Sequence, residues 1–255
     1  MRELQWMMRD HFEDTPMDMT KDIGAGAYGA PYRWRPLTYK IDGSEYTHER
    51  AIATQQTAFS FVAQLRHNVP DAMKGVLWFG VDDANTCVYV PVYNCVSTSP
   101  HCYAVGNGDM YHISWEAAFW VHNYVANQAY NRYSQMIPDI RRVQNGLEDA
   151  IEVAVKDAEK KARKMSDADA RAMLVTLTNH WAEKSTRDFK ALGDYLLVKY
   201  LDGNVKKEKD GEFEYTPEGM PVYPSFPGYD ERYYRSIVKD AGDRLKVITP
   251  AVGQK

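Results

Sequence analysis

Long apolar runs are missing from this 255-residue chain. No stretch of about 18 apolar residues occurs, so no membrane-crossing helix is predicted, and residues 1–11 hold no apolar core of an export signal. Cysteine is scarce, with only Cys87, Cys95 and Cys102. None of them forms a Cys-x-x-Cys pair, which speaks against a zinc site. Cys95 and Cys102 flank a short loop and could bridge it in an oxidising compartment, but free buried thiols are the expectation. The seven histidines make no His-x-x-x-His pair, which disfavours a metallopeptidase, and no Gly-x-Ser-x-Gly string supports a serine hydrolase. Excess charge is small too: a net charge of -4 and a pI near 6.0 argue against a nucleic-acid surface. Internal repeats are absent.

What is present suits a soluble globular protein. Hydrophobic residues make up 44% and charged residues 26%, and the length allows a sizeable core. The 13% aromatic content is rich. Three regions are expected: a sheet-bearing part over residues 1–113, a helical part over 114–203, and a loop-rich tail over 204–255.

The stretch 49–93 organises the chain. Phe59, Phe61, Ala63 and Leu65 alternate with Ser60, Val62 and Gln64, the period of a strand. Val76 to Val81 is almost continuously apolar and reads as a strand buried on both faces. Val88 to Tyr93 continues in kind, with Pro91 marking an edge or a bulge. The cluster Asp82-Asp83-Ala84-Asn85 between the last two reads as a turn. Three adjacent antiparallel strands follow from this reading. Upstream, Asp42-Gly43 between two short runs predicts a separate hairpin.

Elsewhere the helical period dominates. Leu4, Met7, Met8 and Phe12 predict a short first helix, with no capping residue before it. Gly24, Gly26 and Gly29 spell a dinucleotide-like string, but no strand precedes it and Pro31 blocks the helix that should follow, so a surface loop is expected. Arg33 and Arg35 sit among aromatics and either line an anionic pocket or stack on neighbours. Ser114 is placed to cap a helix carrying Val121, His122 and Val125. A second helix is predicted over 139–165, a third from Ser166 with a break or bend before Tyr200, and a last short one over 229–238.

Five strings carry a resemblance to a known family. They are Met-Arg-Asp-His-Phe-Glu-Asp-Thr-Pro-Met-Asp-Met-Thr (8–20), Pro-Tyr-Arg-Trp-Arg-Pro-Leu (31–37), Glu-Arg-Ala-Ile-Ala-Thr-Gln-Gln-Thr (49–57), Leu-Trp-Phe-Gly-Val-Asp-Asp-Ala (77–84) and Gly-Asn-Gly-Asp-Met (106–110). Together they resemble bacterial dipeptidases of the N-terminal-nucleophile class, related to choloylglycine hydrolase and penicillin V acylase. The resemblance implies an α+β fold, part of an αββα sandwich in which two antiparallel sheets lie between helical layers. It implies a cysteine nucleophile at the mature N-terminus, whose own α-amino group acts as base, and no metal or organic cofactor.

No cysteine stands near the start of this sequence. Cys87 sits in a predicted strand and could not become an N-terminus without destroying the hairpin. The expectation is therefore a C-terminal portion of such an enzyme, inactive alone, with apolar sheet surface exposed where the missing strands belong. Its partners would be a short peptide substrate and the missing N-terminal segment of the same enzyme, with no nucleic acid and no membrane, and with a homo-oligomer left open. By position before Thr-Gln-Gln-Thr, Arg50 is the candidate catalytic residue, because a guanidinium beside a thiol favours the thiolate; the alternative is that it pairs with a core carboxylate. Gln55, Gln56 and Trp78 are candidates for substrate binding. The rival reading is a non-catalytic peptide-binding or assembly subunit with the same fold, and a third keeps the chemistry on a bile-salt or lactam amide. An exported or periplasmic location fits the family, though nothing in the sequence assigns one.

Overall fold

The computed structural model describes residues 1–248, and the fold is α+β. A two-stranded hairpin comes first, β1 (Thr38–Ile41) and β2 (Ser44–Thr47), paired antiparallel with Ile41 opposite Ser44. Asp42 and Gly43 both take positive φ at its turn. That is the two-residue geometry that matches strand twist. The central sheet follows, in the order β3 (Phe59–Leu65), β4 (Gly75–Val81), β5 (Val90–Tyr93), all antiparallel. β5 begins only at Val90, so Cys87 lies in the connection before it rather than in a strand. Pro91 lies on an edge strand, where its missing N–H breaks no ladder.

The two faces of this sheet differ. Ser60, Val76, Trp78 and Tyr93 point inward and are buried. Val76, Trp78 and Tyr93 join one core with residues of α2 (Ala118–Asn131), α3 (Tyr133–Ala162) and α4 (Asp167–Lys199). Phe59, Phe61 and Leu65 point the other way and are exposed, Leu65 at 85%. Opposite them Leu77, Phe79 and Val81 are only half-buried, so β4 is not covered on both faces as its apolar run suggests. Gly80 must stay small: a Cβ there would sit 2.5 Å from Cys87 Sγ.

The helices hold several departures from the sequence reading. α1 is confined to Arg2–Met7, and the side it buries carries Gln5, with Arg9 buried just beyond, rather than Leu4 and Met7, which are exposed. Polar neighbours decide this, because Arg9 is drawn inward by a buried carboxylate, Glu148. Ser114 does not cap α2; its Oγ donates to Asn107 Oδ1 at 2.6 Å and holds a turn, so the helix begins at Ala118. α3 starts six residues earlier than predicted and carries Pro138 within its second turn, where the proline forgoes one backbone bond but stays inside a long, packed helix. α4 runs unbroken to Lys199, with Ser166 accepting from the Asp169 amide at its start. Ala182, Phe189, Leu192 and Leu196 extend its buried line through the predicted break. The tail adds a small hairpin, β6 (Glu208–Lys209) with β7 (Glu212–Phe213), and α5 (Glu231–Ala241), capped by Asp230.

Candidate active site

The segment 49–58 leads into β3 and is pinned at three points. Ala53 N–H donates to Asp10 O at 3.1 Å, Thr57 N–H to Thr54 O at 3.1 Å, and Asp82 N–H to Ala58 O at 2.8 Å. Ala51, Ala53 and Thr54 turn inward, which leaves Arg50 exposed. Among the described residues Arg50 makes no ion pair or side-chain hydrogen bond, so its guanidinium is free to meet an incoming anion. Gln55 donates through Nε2 to Arg33 O at 3.0 Å, while its Oε1 is buried without a partner. Gln56 is half-buried. These three side chains share the walls of one small cavity with Tyr32, Arg33 and Thr54; at about 10 Å³ it admits no peptide. Arg33 itself is spent internally, on Met19 O, both oxygens of Asp22 and Glu49, and does not line an open anionic pocket.

Trp78 lies elsewhere. Its Nε1 donates to Gln64 Oε1 at 3.1 Å on the inward face of the sheet, and it lines a cavity of about 440 Å³ with Gln5, Arg66, Tyr89 and Glu159. The charges there are already matched. Arg66 holds both oxygens of Glu159 at 2.8 Å, and Glu148 accepts from Arg2, from Arg9 at 2.6 Å and from the Tyr89 amide at 3.0 Å. The structure thus gathers Arg50, Gln55 and Gln56 and places Trp78 in a different cavity.

The turn predicted at Asp82-Asp83-Ala84-Asn85 is present, but it lies in the interior. Asp82, Asp83, Asn85 and Thr86 are all withdrawn from solvent. Asp82 adopts a positive φ and accepts from Asn123 Nδ2 at 3.0 Å, and burial pushes its carboxyl up to about 7. Asp83 caps its own turn, accepting from the Thr86 amide and hydroxyl, and burial raises its carboxyl as well. Gln144 and Arg141 of α3 donate to Asn85, and Gln144 also reaches Cys87 O. The missed signal is context: two adjacent acids enclosed by Val81 and by Cys87-Val88, with no solvating lysine or serine beside them.

None of the three thiols is poised for nucleophilic attack. Cys87 and Cys102 are buried and burial pushes each up to about 12; Cys95 is half-buried and raised for the same reason. A reactive thiol needs the opposite shift. All three are free, so Cys95 and Cys102 form no bridge.

Comparison with known proteins bears on the chemistry. The model of peptidase family C69 matches residues 1–146. Over 201 residues the chain is 24% identical to a probable dipeptidase of Latilactobacillus sakei, covering 79% of this chain and 37% of that protein. The chain thus spans little more than a third of the length of the curated relative it matches.

Proposed function

The chain belongs to peptidase family C69, and we propose that it supplies part of a thiol dipeptidase of the N-terminal-nucleophile class whose nucleophilic cysteine lies outside these 255 residues. The observation that carries the reading is the state of the three thiols: each is buried or half-buried with its proton held more firmly than in water. A hydrolase of this kind needs a thiolate that a peptide can reach. The bare outward face of β3 supports the same reading, since Phe59, Phe61 and Leu65 suit a packed second layer better than water.

In this scheme the terminal amine takes the proton of the external cysteine as its sulfur attacks the peptide carbonyl. The amine of the leaving residue departs, and water then releases the acyl group from sulfur. Arg50, exposed in the segment that leads into β3, stabilises the thiolate or the oxyanion. Gln55 and Gln56 offer amides to a peptide backbone. The substrate is a short peptide.

The test is hydrolysis of a dipeptide panel by the protein as its source makes it, with Cys87, Cys95 and Cys102 all changed to alanine. Activity should survive, and a thiol-directed label should block it at a cysteine outside this sequence. Loss of activity in a folded triple variant, or hydrolysis by the 255-residue chain on its own, would overturn the proposal. A protein that binds dipeptides without cleaving them would favour the non-catalytic reading.

A further inference from the structure

Arg33 touches the Arg50 segment on either side of Arg50. Its Nε stands 3.6 Å from Glu49 Oε2, one residue before. Its carbonyl oxygen accepts from Gln55 Nε2 at 3.0 Å, five residues after. The rest of the guanidinium is spent on the loop 19–24. Nη1 donates to Met19 O at 2.9 Å, and Nη2 donates to Asp22 Oδ1 and Oδ2 at 3.0 and 2.9 Å. Asp22 in turn accepts from the Gly24 amide at 2.6 Å. A Cβ on Gly24 would lie 2.9 Å from Asp22 Oδ1 and 3.0 Å from Arg33 Cζ, so a side chain there would push the pair apart. The guanidinium is buried, while both carboxylates that hold it reach solvent.

Arg50 has no bond of its own to fix it, so its place is set by its neighbours. Backbone bonds pin the segment at His48, on Leu37 O, and at Ala53, on Asp10 O. Between those points the one polar side-chain contact among the described residues is Glu49 on Arg33. Engaged there, Glu49 leaves the charge of Arg50 next to it unneutralised. Arg33 also lines the same small cavity as Arg50, Gln55 and Gln56. A planar guanidinium can reach three partners in fixed directions at once, which an ammonium cannot. We propose that Arg33 is a positioning residue for the hydrolysis: it fixes the 49–55 segment on the loop 19–24 and so sets where Arg50 meets the reacting thiolate or oxyanion. The inference rests on the role given to Arg50 above.

The test is a double-mutant cycle in the protein as its source makes it, read by dipeptide hydrolysis. Arg33→Lys keeps the charge and loses the fork that serves Met19, Asp22 and Glu49 together. Its kcat should fall roughly tenfold with KM nearly unchanged, as when a group that acts in the transition state is misplaced. In an Arg50→Ala background the same substitution should change kcat by less than about twofold, because nothing is left to position. A full loss in that background as well would show a structural role only and overturn the proposal. So would parent kcat in a folded Arg33→Lys variant when Arg50→Ala is impaired, and the peptidase reading would then stand. Parent kcat in Arg50→Ala, or no hydrolysis by the parent itself, would refute the role of Arg50 and this inference with it. Should Arg33→Lys fold poorly, Asp22→Ala removes its bidentate partner on the far side and enters the same cycle. Hydrogen exchange gives a readout apart from the chemistry: the 49–53 amides should exchange severalfold faster in Arg33→Lys, and unchanged exchange there would overturn the proposal whatever the kinetics.

Discussion

Asp82 makes the chain less stable at neutral pH than its packing alone would allow. Its carboxyl is raised by burial from 3.8 to about 7, the Asn123 amide opposing only part of that shift. A carboxyl raised on folding leaves stability intact below its unfolded value, and stability is then lost as pH climbs towards the folded value. Here the loss accumulates between about pH 4 and pH 7. Three units at ~1.4 kcal/mol per unit comes to ~4 kcal/mol in all, of which roughly 2–3 kcal/mol falls between pH 5 and pH 8. Asp82→Asn removes the charge, keeps an oxygen for Asn123 Nδ2, and suits the positive φ at this position. Asparagine tolerates that left-handed backbone. Urea unfolding of both proteins at pH 5 and pH 8 measures the difference. The variant should gain on the parent by roughly 2–3 kcal/mol more at pH 8 than at pH 5. Other groups also titrate, and Glu13 and Asp139, whose carboxyls are lowered, push the parent's own curve the opposite way. They are common to both proteins and cancel in the comparison. A gap that does not change with pH, or a variant less stable at pH 8, would show that Asp82 is not a buried, readily protonated acid.

Three further outcomes follow from the same geometry. Arg50→Ala should barely change thermal unfolding, because the side chain is exposed and makes no pair among the described residues. On the proposed role of Arg50, the same variant of the natural protein should lose most of the dipeptide hydrolysis seen in a kinetic assay of the parent. Glu148→Gln should cost about 3–5 kcal/mol in urea unfolding, since it leaves the buried Arg9 guanidinium without its countercharge. Phe189→Ala should cost a similar ~3–5 kcal/mol, opening a cavity in a fully buried part of α4 against His122, read from the same unfolding curves.

Local chemistry was legible wherever neighbours in sequence decide it. Asp42-Gly43 specified a hairpin because such a pair accepts two positive φ angles cheaply. Ser166 specified the start of α4 through its own hydroxyl. The alternation from Phe59 to Leu65 specified a strand, and the strings shared with dipeptidases specified the family. The ends of helices were less legible: Ser114 is a cap by type, but Asn107, seven residues away, takes its hydroxyl first.

The sequence by itself thus determined most of the elements, their order and the peptidase family. It could not say which face of β3 turns inward, since both faces carry residues a core accepts. The tertiary structure chose Ser60 and Gln64 for the inward side, because Tyr89 and Trp78 wait there with a hydroxyl and an indole N–H to satisfy. It likewise sent two adjacent aspartates into the interior, where Asn123 of α2 meets Asp82, Thr86 meets Asp83, and Gln144 of α3 holds the carbonyl of Asn85 just beyond. And it separated Trp78 from Arg50, because alternation along β4 turns the indole to the inward face while Arg50 lies outside any strand, in the connection between β2 and β3.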